Sequence, residues 1–413
     1  MVFTRVRASG WRNLRPLELA FDPGVSLNVL YGHNGQGKTN LLEALYFLAS
    51  FRSFRTSQAA DLIQRGAVEA RIAAEWRTKD LDRTVEVSLG SPTLRGTPLG
   101  GEGGEEGAGQ PAGRARTATV TRTIEVDGKL VRRTSAAFGL VSVVLFVPDD
   151  LALARAAPAA RRRFLDMAIA GLAPQYFGEL ATFQRVLRGR NALLRGAVSA
   201  GGGSSSSTWL ETIDEQLARA GARVVMRRRG LLAAMAAHVR SFFHALHGDL
   251  VVTLVYEQDE AVAAAGDEEA VGAALLAGLG RRRAIDFRRR HTTFGPQVDD
   301  LGLLLGSHPA REHASQGQLR SLMLSLKLSE LTLLRAERGE APVLLLDDVP
   351  SELDPERRRF LFETLATLGC QTVLSVADRS VVPVVPGRCD FQVVEGTLTR
   401  EPGGRDFALL PVR

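Results

Sequence analysis

The stretch Gly32-His33-Asn34-Gly35-Gln36-Gly37-Lys38-Thr39 fits the phosphate-loop pattern G-x-x-x-x-G-K-[ST] without a mismatch, and it constrains the chain on both sides. Upstream, Val25, Leu27 and Val29 alternate and run into Leu30 and Tyr31, which predicts a strand; downstream, Leu41, Leu42, Leu45, Phe47 and Leu48 repeat at helical spacing. Strand, glycine loop and helix together are what a phosphate site needs. Gly32, Gly35 and Gly37 can take backbone angles closed to other residues, so the loop wraps with its N–H groups inward. The helix N-terminus favours an anion, Lys38 reaches the β- and γ-phosphates, and Thr39 is placed to ligate Mg2+. ATP with Mg2+ is therefore the expected cofactor, with His33, Asn34, Gln36 and Asn40 lining the same loop.

A chain of 413 residues has room for two or three domains. No uninterrupted apolar run approaches membrane-spanning length, and Met1-Val2-Phe3-Thr4-Arg5 has no apolar signal region, so the expectation is a soluble cytoplasmic protein without a membrane partner. Cys370 and Cys389 form neither a disulfide framework nor a zinc site. A net charge of +6 and a pI near 9.8 permit a polyanionic partner. Only four of the 52 basic residues are lysine, a compositional bias that makes the position of the arginines more informative than their number.

Residues 1 to 31 read as successive strands, and Arg52 and Arg55 flank a polar turn after the loop helix, either as solvated surface or as a phosphate contact. Alternation returns at residues 68 to 89 and at 117 to 131, with a turn at Asp127-Gly128. Residues 91–116 and 199–208 are glycine- and serine-rich and are expected to be flexible loops. Beyond the apolar run Val141 to Val147 the chain turns helical and basic, with arginine triplets at 161–163, 227–229, 281–283 and 288–290. Each triplet alone reads as a solvated face; four in one region point to a basic surface. The expected organisation is a head from residues 1–150 and 291–413, and an inserted, mainly helical arm at 151–290.

The second half of the nucleotide site begins at Val343-Leu344-Leu345-Leu346-Asp347-Asp348, an apolar run ending in two acids, as in a buried parallel strand. Asp347 is expected to hold the metal through water and Asp348 to polarise an attacking water. Ser351-Glu352-Leu353-Asp354 forms a polar turn, and Pro355 opens a helix. In Ala314-Ser315-Gln316-Gly317-Gln318-Leu319-Arg320, Ser315 suits an N-cap and Gly317 allows close backbone approach. In this order the segments resemble an ABC-type ATPase: α/β, a mixed sheet flanked by helices. That resemblance implies an ATP-dependent homodimer in which Ser315, Gln316, Gly317 and Gln318 cap the γ-phosphate on the partner's loop. About 300 residues separate the loop from Asp347, which suits the SMC-like, DNA-handling branch rather than a transporter.

Within that branch the chain resembles the RecF family over nearly its whole length. The matching stretches are Trp11-Arg12-Asn13-Leu14, Gly32 to Ala44, Phe51 to Thr56, Phe146 to Leu151, Pro158 to Asp166, Gly189 to Arg195, Ala314 to Arg320 and Leu344 to Asp354. The resemblance implies nucleotide contacts from Arg12 and Asn13, a weak ATPase, and binding to single-stranded, duplex and gapped DNA. It also implies work with RecO and RecR to load the recombinase at stalled forks. Two departures stand out. Gln297-Val298 is neutral where the family has a basic pair, and Asp378 stands where ABC enzymes carry a switch histidine. With Asp348 in place of the usual glutamate, the expectation is slow hydrolysis that acts as a timer. Alternative classes are a P-loop or ABC-fold nuclease or kinase, and a structural SMC-like clamp, for which long heptads are absent.

Overall fold

The computed structural model describes residues 1–79, 81–90, 120–132, 134–199 and 204–401. Contacts group the chain into two compact units, one of Met1–Leu145, Val343–Pro350 and Cys370–Arg413, the other of Phe146–Pro342 and Ser351–Gly369. The boundaries expected from sequence group three segments differently, because residues 146–150, 291–342 and 351–369 fall with the second unit. The long helix Gln316–Arg338 packs its apolar face on helix Ser204–His247 of that unit. The expected loop at 91–116 lies outside the described residues. Of 199–208, only 200–203 do; helix Tyr176–Ser199 ends and helix Ser204–His247 begins on either side. The serine run continues the helix because propagation needs only one more backbone bond per residue once a nucleus exists.

The first unit holds two sheets. One is antiparallel, in the order Leu17–Ala20, Val2–Ser9, Glu69–Arg77, Asp82–Gly90, Thr121–Val126 and Lys129–Leu130. Its strands alternate, with Ala70, Ile72, Ala74 and Trp76 buried on one face. The turn at Asp127-Gly128 closes its last hairpin with φ of 50° and 72°, the primed geometry that twisted hairpins favour. The other sheet runs Thr397–Arg400, Arg388–Val394, Leu27–Tyr31, Thr372–Val376, Val343–Asp347 and Val143–Phe146. Arg388–Val394, Leu27–Tyr31, Thr372–Val376 and Val343–Asp347 are parallel neighbours, and the last two are buried at every residue. That explains the unbroken apolar run Val343 to Leu346: both faces are covered. Because these strands are parallel, the ends of Leu27–Tyr31 and Val343–Asp347 emerge at the same edge of the sheet, where open α/β sheets bind ligands.

The second unit is built from helices Pro158–Leu172, Tyr176–Ser199, Ser204–His247, Glu268–Arg289, Gln316–Arg338 and Pro355–Leu368, with a small sheet of Val252–Glu257, Asp300–Leu305 and His308–Pro309. Several arginines read as surface from the sequence are internal. Arg161 forks onto Asp300 at 2.8 and 2.5 Å, and Arg228 forks onto Asp166 at 2.9 and 3.1 Å while donating to the Pro296 carbonyl. Both are at least 96 % buried, with 4 % and 3 % of their surface exposed. Arg229 is held by the carbonyls of Val262 and Ala265. Guanidinium groups enter a core only when bonded to carboxylates or carbonyls, and the triplets at 161–163 and 227–229 each supply one buried arginine, Arg161 and Arg228. The exposed remainder includes Arg163, Arg281, Arg282, Arg288, Arg289 and Arg290.

Asp299 marks a pH-sensitive point in this core. Burial pushes its carboxyl up to about 6, against the lowering influence of the Tyr256 hydroxyl, which donates to it at 2.8 Å, and of Arg228. The folded value lies above the unfolded one of about 3.9, so between roughly pH 4 and 6 the folded chain holds a proton that the unfolded chain releases. This contribution is fully present below pH 4 and is lost as pH rises through 6. Asp299→Asn removes the dependence. The stability of the variant relative to the wild type should therefore rise by about 2–3 kcal/mol from pH 4 to 7 in urea titrations; parallel curves would contradict the assignment.

Candidate functional site

The strand Leu27–Tyr31 delivers the chain to Gly32, whose φ is +146°; a Cβ there would stand 2.4 Å from the Val393 carbonyl oxygen. Only glycine fits this close approach. Gly37, at φ +113°, ends the loop and caps the helix Lys38–Ser50. The Lys38 amine is folded over the loop, donating to the carbonyls of Gly32 at 2.6 Å and His33 at 2.9 Å. Burial lowers its pKa, and the carboxylates of Asp348 and Asp347 oppose that shift. An ammonium held by two neutral carbonyls in a partly dry site is poised to exchange them for phosphate oxygens.

Asp347 sits where the register predicts. The parallel pairing sets it beside Ser375, whose hydroxyl donates to Asp347 Oδ1 at 2.6 Å, and the Thr39 hydroxyl donates to the same oxygen at 2.8 Å. The two predicted metal-side residues, separated by 308 positions in sequence, are thus in contact. Asp348 follows in the left-handed region, at φ +54°, with its backbone N–H donating to the Ser375 carbonyl at 2.9 Å. A non-glycine residue there carries strain of order 1 kcal/mol, which the buried strand ends sustain. Ser375 was legible only as part of a strand; nothing in its neighbourhood advertised a contact with Asp347.

The rim of the loop is clamped by segments far away in sequence. Asn13 Nδ2 donates to the Gly35 carbonyl at 2.9 Å, and Asn40 Nδ2 donates to Asn13 Oδ1 at 2.6 Å. The Gly396 N–H donates to the Gln36 carbonyl at 2.8 Å, and a Cβ on Gly396 would lie 2.2 Å from the Asn13 carbonyl oxygen. Nothing in the local sequence of the hairpin turn Glu395-Gly396 signals this contact. Arg12, expected at the nucleotide, forks onto the fully buried Glu43 with two bonds of 2.9 Å. Ser53 donates to the same carboxylate, and Arg55 lies 3.7 Å from it while donating to Asn40 at 2.6 Å. A glutamate on the buried face of the loop helix, between Leu42 and Ala44, was the sequence signal for this lock.

In the second unit Ser315 caps helix Gln316–Arg338. Its hydroxyl accepts from the Gln318 N–H at 3.2 Å, while Gln318 Oε1 accepts from the Ser315 N–H at 2.8 Å, a closed capping box. Asp354 caps helix Pro355–Leu368 by accepting from the Arg357 N–H at 3.0 Å. Asp378 accepts from the Ser380 N–H and hydroxyl, a local cap on the turn that follows strand Thr372–Val376.

A phosphate loop and an acid-ended strand meeting at one edge of a mixed sheet flanked by helices define an ABC-type P-loop ATPase head. The family described as AAA domain, putative AbiEii toxin, Type IV TA system matches residues 27–89, which span the loop and its helix. The DNA replication and repair protein RecF of Myxococcus xanthus is 39 % identical over 376 residues, covering 90 % of each chain. That of Symbiobacterium thermophilum is 34 % identical over 411 residues, covering 98 % of this chain and all of its own. The solved recombination mediator protein RecF-ATP in the RecFOR pathway superposes with a TM-score of 0.82 at 28 % identity, covering 97 % of both chains. An Smc head bound to the C-winged helix domain of ScpA, at TM-score 0.52 and 13 % identity, shares the fold. The chain belongs to the RecF family.

Proposed function

We propose that this chain is a recombination mediator in DNA replication and repair: an ATP-gated DNA-binding protein that dimerises on ATP and binds gapped DNA. The Thr39–Asp347 contact beside Lys38 carries this reading, because it joins the two halves of a nucleotide site that the sequence holds apart. The donor set fits Mg2+, a hard cation that takes hydroxyl, carboxylate and water oxygens. When bound, Mg·ATP supplies a γ-phosphate charge that two subunits share and a bond whose hydrolysis releases them. Lys38 leaves the Gly32 and His33 carbonyls for phosphate oxygens. Thr39 and Asp347 would hold the metal, Asp347 being oriented by Ser375, and Asp348 would orient a water. Ser315 and Gly317 present a helix N-terminus to the nucleotide of a second copy. Asp378 is occupied as a turn cap and offers no imidazole, so hydrolysis is slow and serves as a timer. DNA phosphates meet exposed arginines such as Arg281, Arg282, Arg288 and Arg289, and RecR and RecO are the protein partners that family membership supports.

Sedimentation velocity tests this with the full chain and Mg2+, in ATP, in ADP and without nucleotide, each with and without gapped duplex DNA. The expected result is a dimer in ATP alone and co-sedimentation of DNA with that dimer. A protein that stays monomeric in ATP and DNA would overturn the reading.

A further inference from the structure

The guanidinium of Arg357 occupies an unusual place in the second unit. It lies against the first turn of helix Gln316–Arg338, where a Cβ on Gly317 would come within 3.0 Å of its Nη2. A cation at a helix N-terminus opposes the helix dipole. Three partners hold it there. Nη1 donates to the Asp354 carboxylate, Nε donates to the Ser321 hydroxyl at 2.7 Å, and Nη2 stands 3.3 Å from His247 Nε2. His247 Nε2 in turn lies 2.9 Å from the same Ser321 hydroxyl, and Ser321 is fully buried. Burial and the neighbouring Arg357 lower the pKa of His247, so its ring is neutral and accepts.

One planar fork therefore ties together three elements: the cap residue of helix Pro355–Leu368, the second turn of helix Gln316–Arg338, and the last residue of helix Ser204–His247. A side chain at Gly317 would stand in tight contact with the guanidinium, so the two groups share one space at the helix start. From this geometry we infer that Arg357 is a positioning residue for the Ser315–Gly317 helix start. It fixes that start relative to Asp354 and adds positive potential where an anion is received. The inference rests on the reading that ATP drives dimerisation through Ser315 and Gly317, and it assigns a residue outside the phosphate loop, the acidic strand and the serine-glycine cap.

The experiment compares Arg357→Ala, Arg357→Lys and Gly317→Ala with the wild type, full length, by fluorescent-nucleotide binding and by sedimentation in ATP and Mg2+. Arg357→Ala is expected to keep nucleotide affinity within about twofold, since Lys38 and Thr39 are untouched, while the ATP-dependent dimer weakens at least about thirtyfold. Lysine restores the charge but cannot reach Asp354, Ser321 and His247 at once, so it should recover only part of the loss. Gly317→Ala, which crowds the guanidinium without removing it, should weaken the dimer in the same direction and keeps the test open if Arg357→Ala fails to fold. Normal dimerisation of Arg357→Ala, or full recovery by lysine, overturns the positioning role. If Arg357→Ala does not fold, normal dimerisation of Gly317→Ala does so. A wild type that remains monomeric in ATP sinks the underlying reading and this inference with it.

Discussion

Lys38→Met should lower affinity for ATP by about two orders of magnitude and abolish the ATP-dependent dimer, while leaving the fold intact. The stem of Lys38 is buried, with 7 % of the residue exposed, and methionine fills nearly the same channel. What is lost is the ammonium. Both sets of bonds use the charged ammonium, but a phosphate oxygen is itself charged while the carbonyls of Gly32 and His33 are neutral, so the bonds to phosphate are the stronger. The difference favours the phosphates, which is why the penalty falls on binding and not on stability. Removing an amine whose pKa burial lowers should leave the melting temperature without nucleotide close to that of the wild type. Isothermal titration with ATP checks the first effect and a thermal melt the second. Wild-type affinity in the variant would show that the loop does not hold the triphosphate through Lys38.

Arg190→Met should destabilise the second unit by about 3–5 kcal/mol, the cost of leaving a buried charge without its counter-ion. Arg190 is completely buried and reaches three segments. Its Nε donates to Asp214 at 2.5 Å, and its Nη1 donates to Asp286 at 2.7 Å and to the Thr292 hydroxyl at 2.9 Å. Arg283 reaches the other oxygen of Asp214 at 3.1 Å, so two arginines balance two aspartates. Without Arg190, Asp286 keeps the Thr293 N–H and hydroxyl, neither of them charged. Asn191 beside it accepts from the Thr292 N–H and hydroxyl, so the pair closes the junction of helices Tyr176–Ser199, Ser204–His247 and Glu268–Arg289. Because two units need not unfold together, the readout is hydrogen exchange in those helices rather than one melting curve. Adding Asp286→Asn to Arg190→Met should recover part of the loss. Unchanged exchange in the single variant would refute the buried-pair account.

The nucleotide half of the site was readable from sequence because its chemistry is local. Gly32 to Thr39 must be contiguous to wrap a phosphate, and an apolar strand ending in Asp347-Asp348 carries its burial in its composition. Ser315 was equally legible, since a capping box spans only four residues. The arginine triplets misled for the opposite reason. Exposed and buried arginines look alike until their carboxylates are known, and Asp300 lies 139 positions from Arg161, Asp166 62 from Arg228.

What the linear chain determined by itself is therefore the class of chemistry: which residues can cradle phosphate, which acids end a buried strand, and which helix start offers free N–H groups. Those properties depend on backbone freedom, charge and spacing within a few residues. Tertiary structure alone decided the contacts that make them a site: Ser375 turned onto Asp347 by strand register, Glu43 locking Arg12, and Gly396 pressed on Asn13. It also decided that Arg357 lies over Gly317. Each joins groups separated by tens to hundreds of residues. Their pairing is set by sheet order and helix packing, which local pattern does not encode.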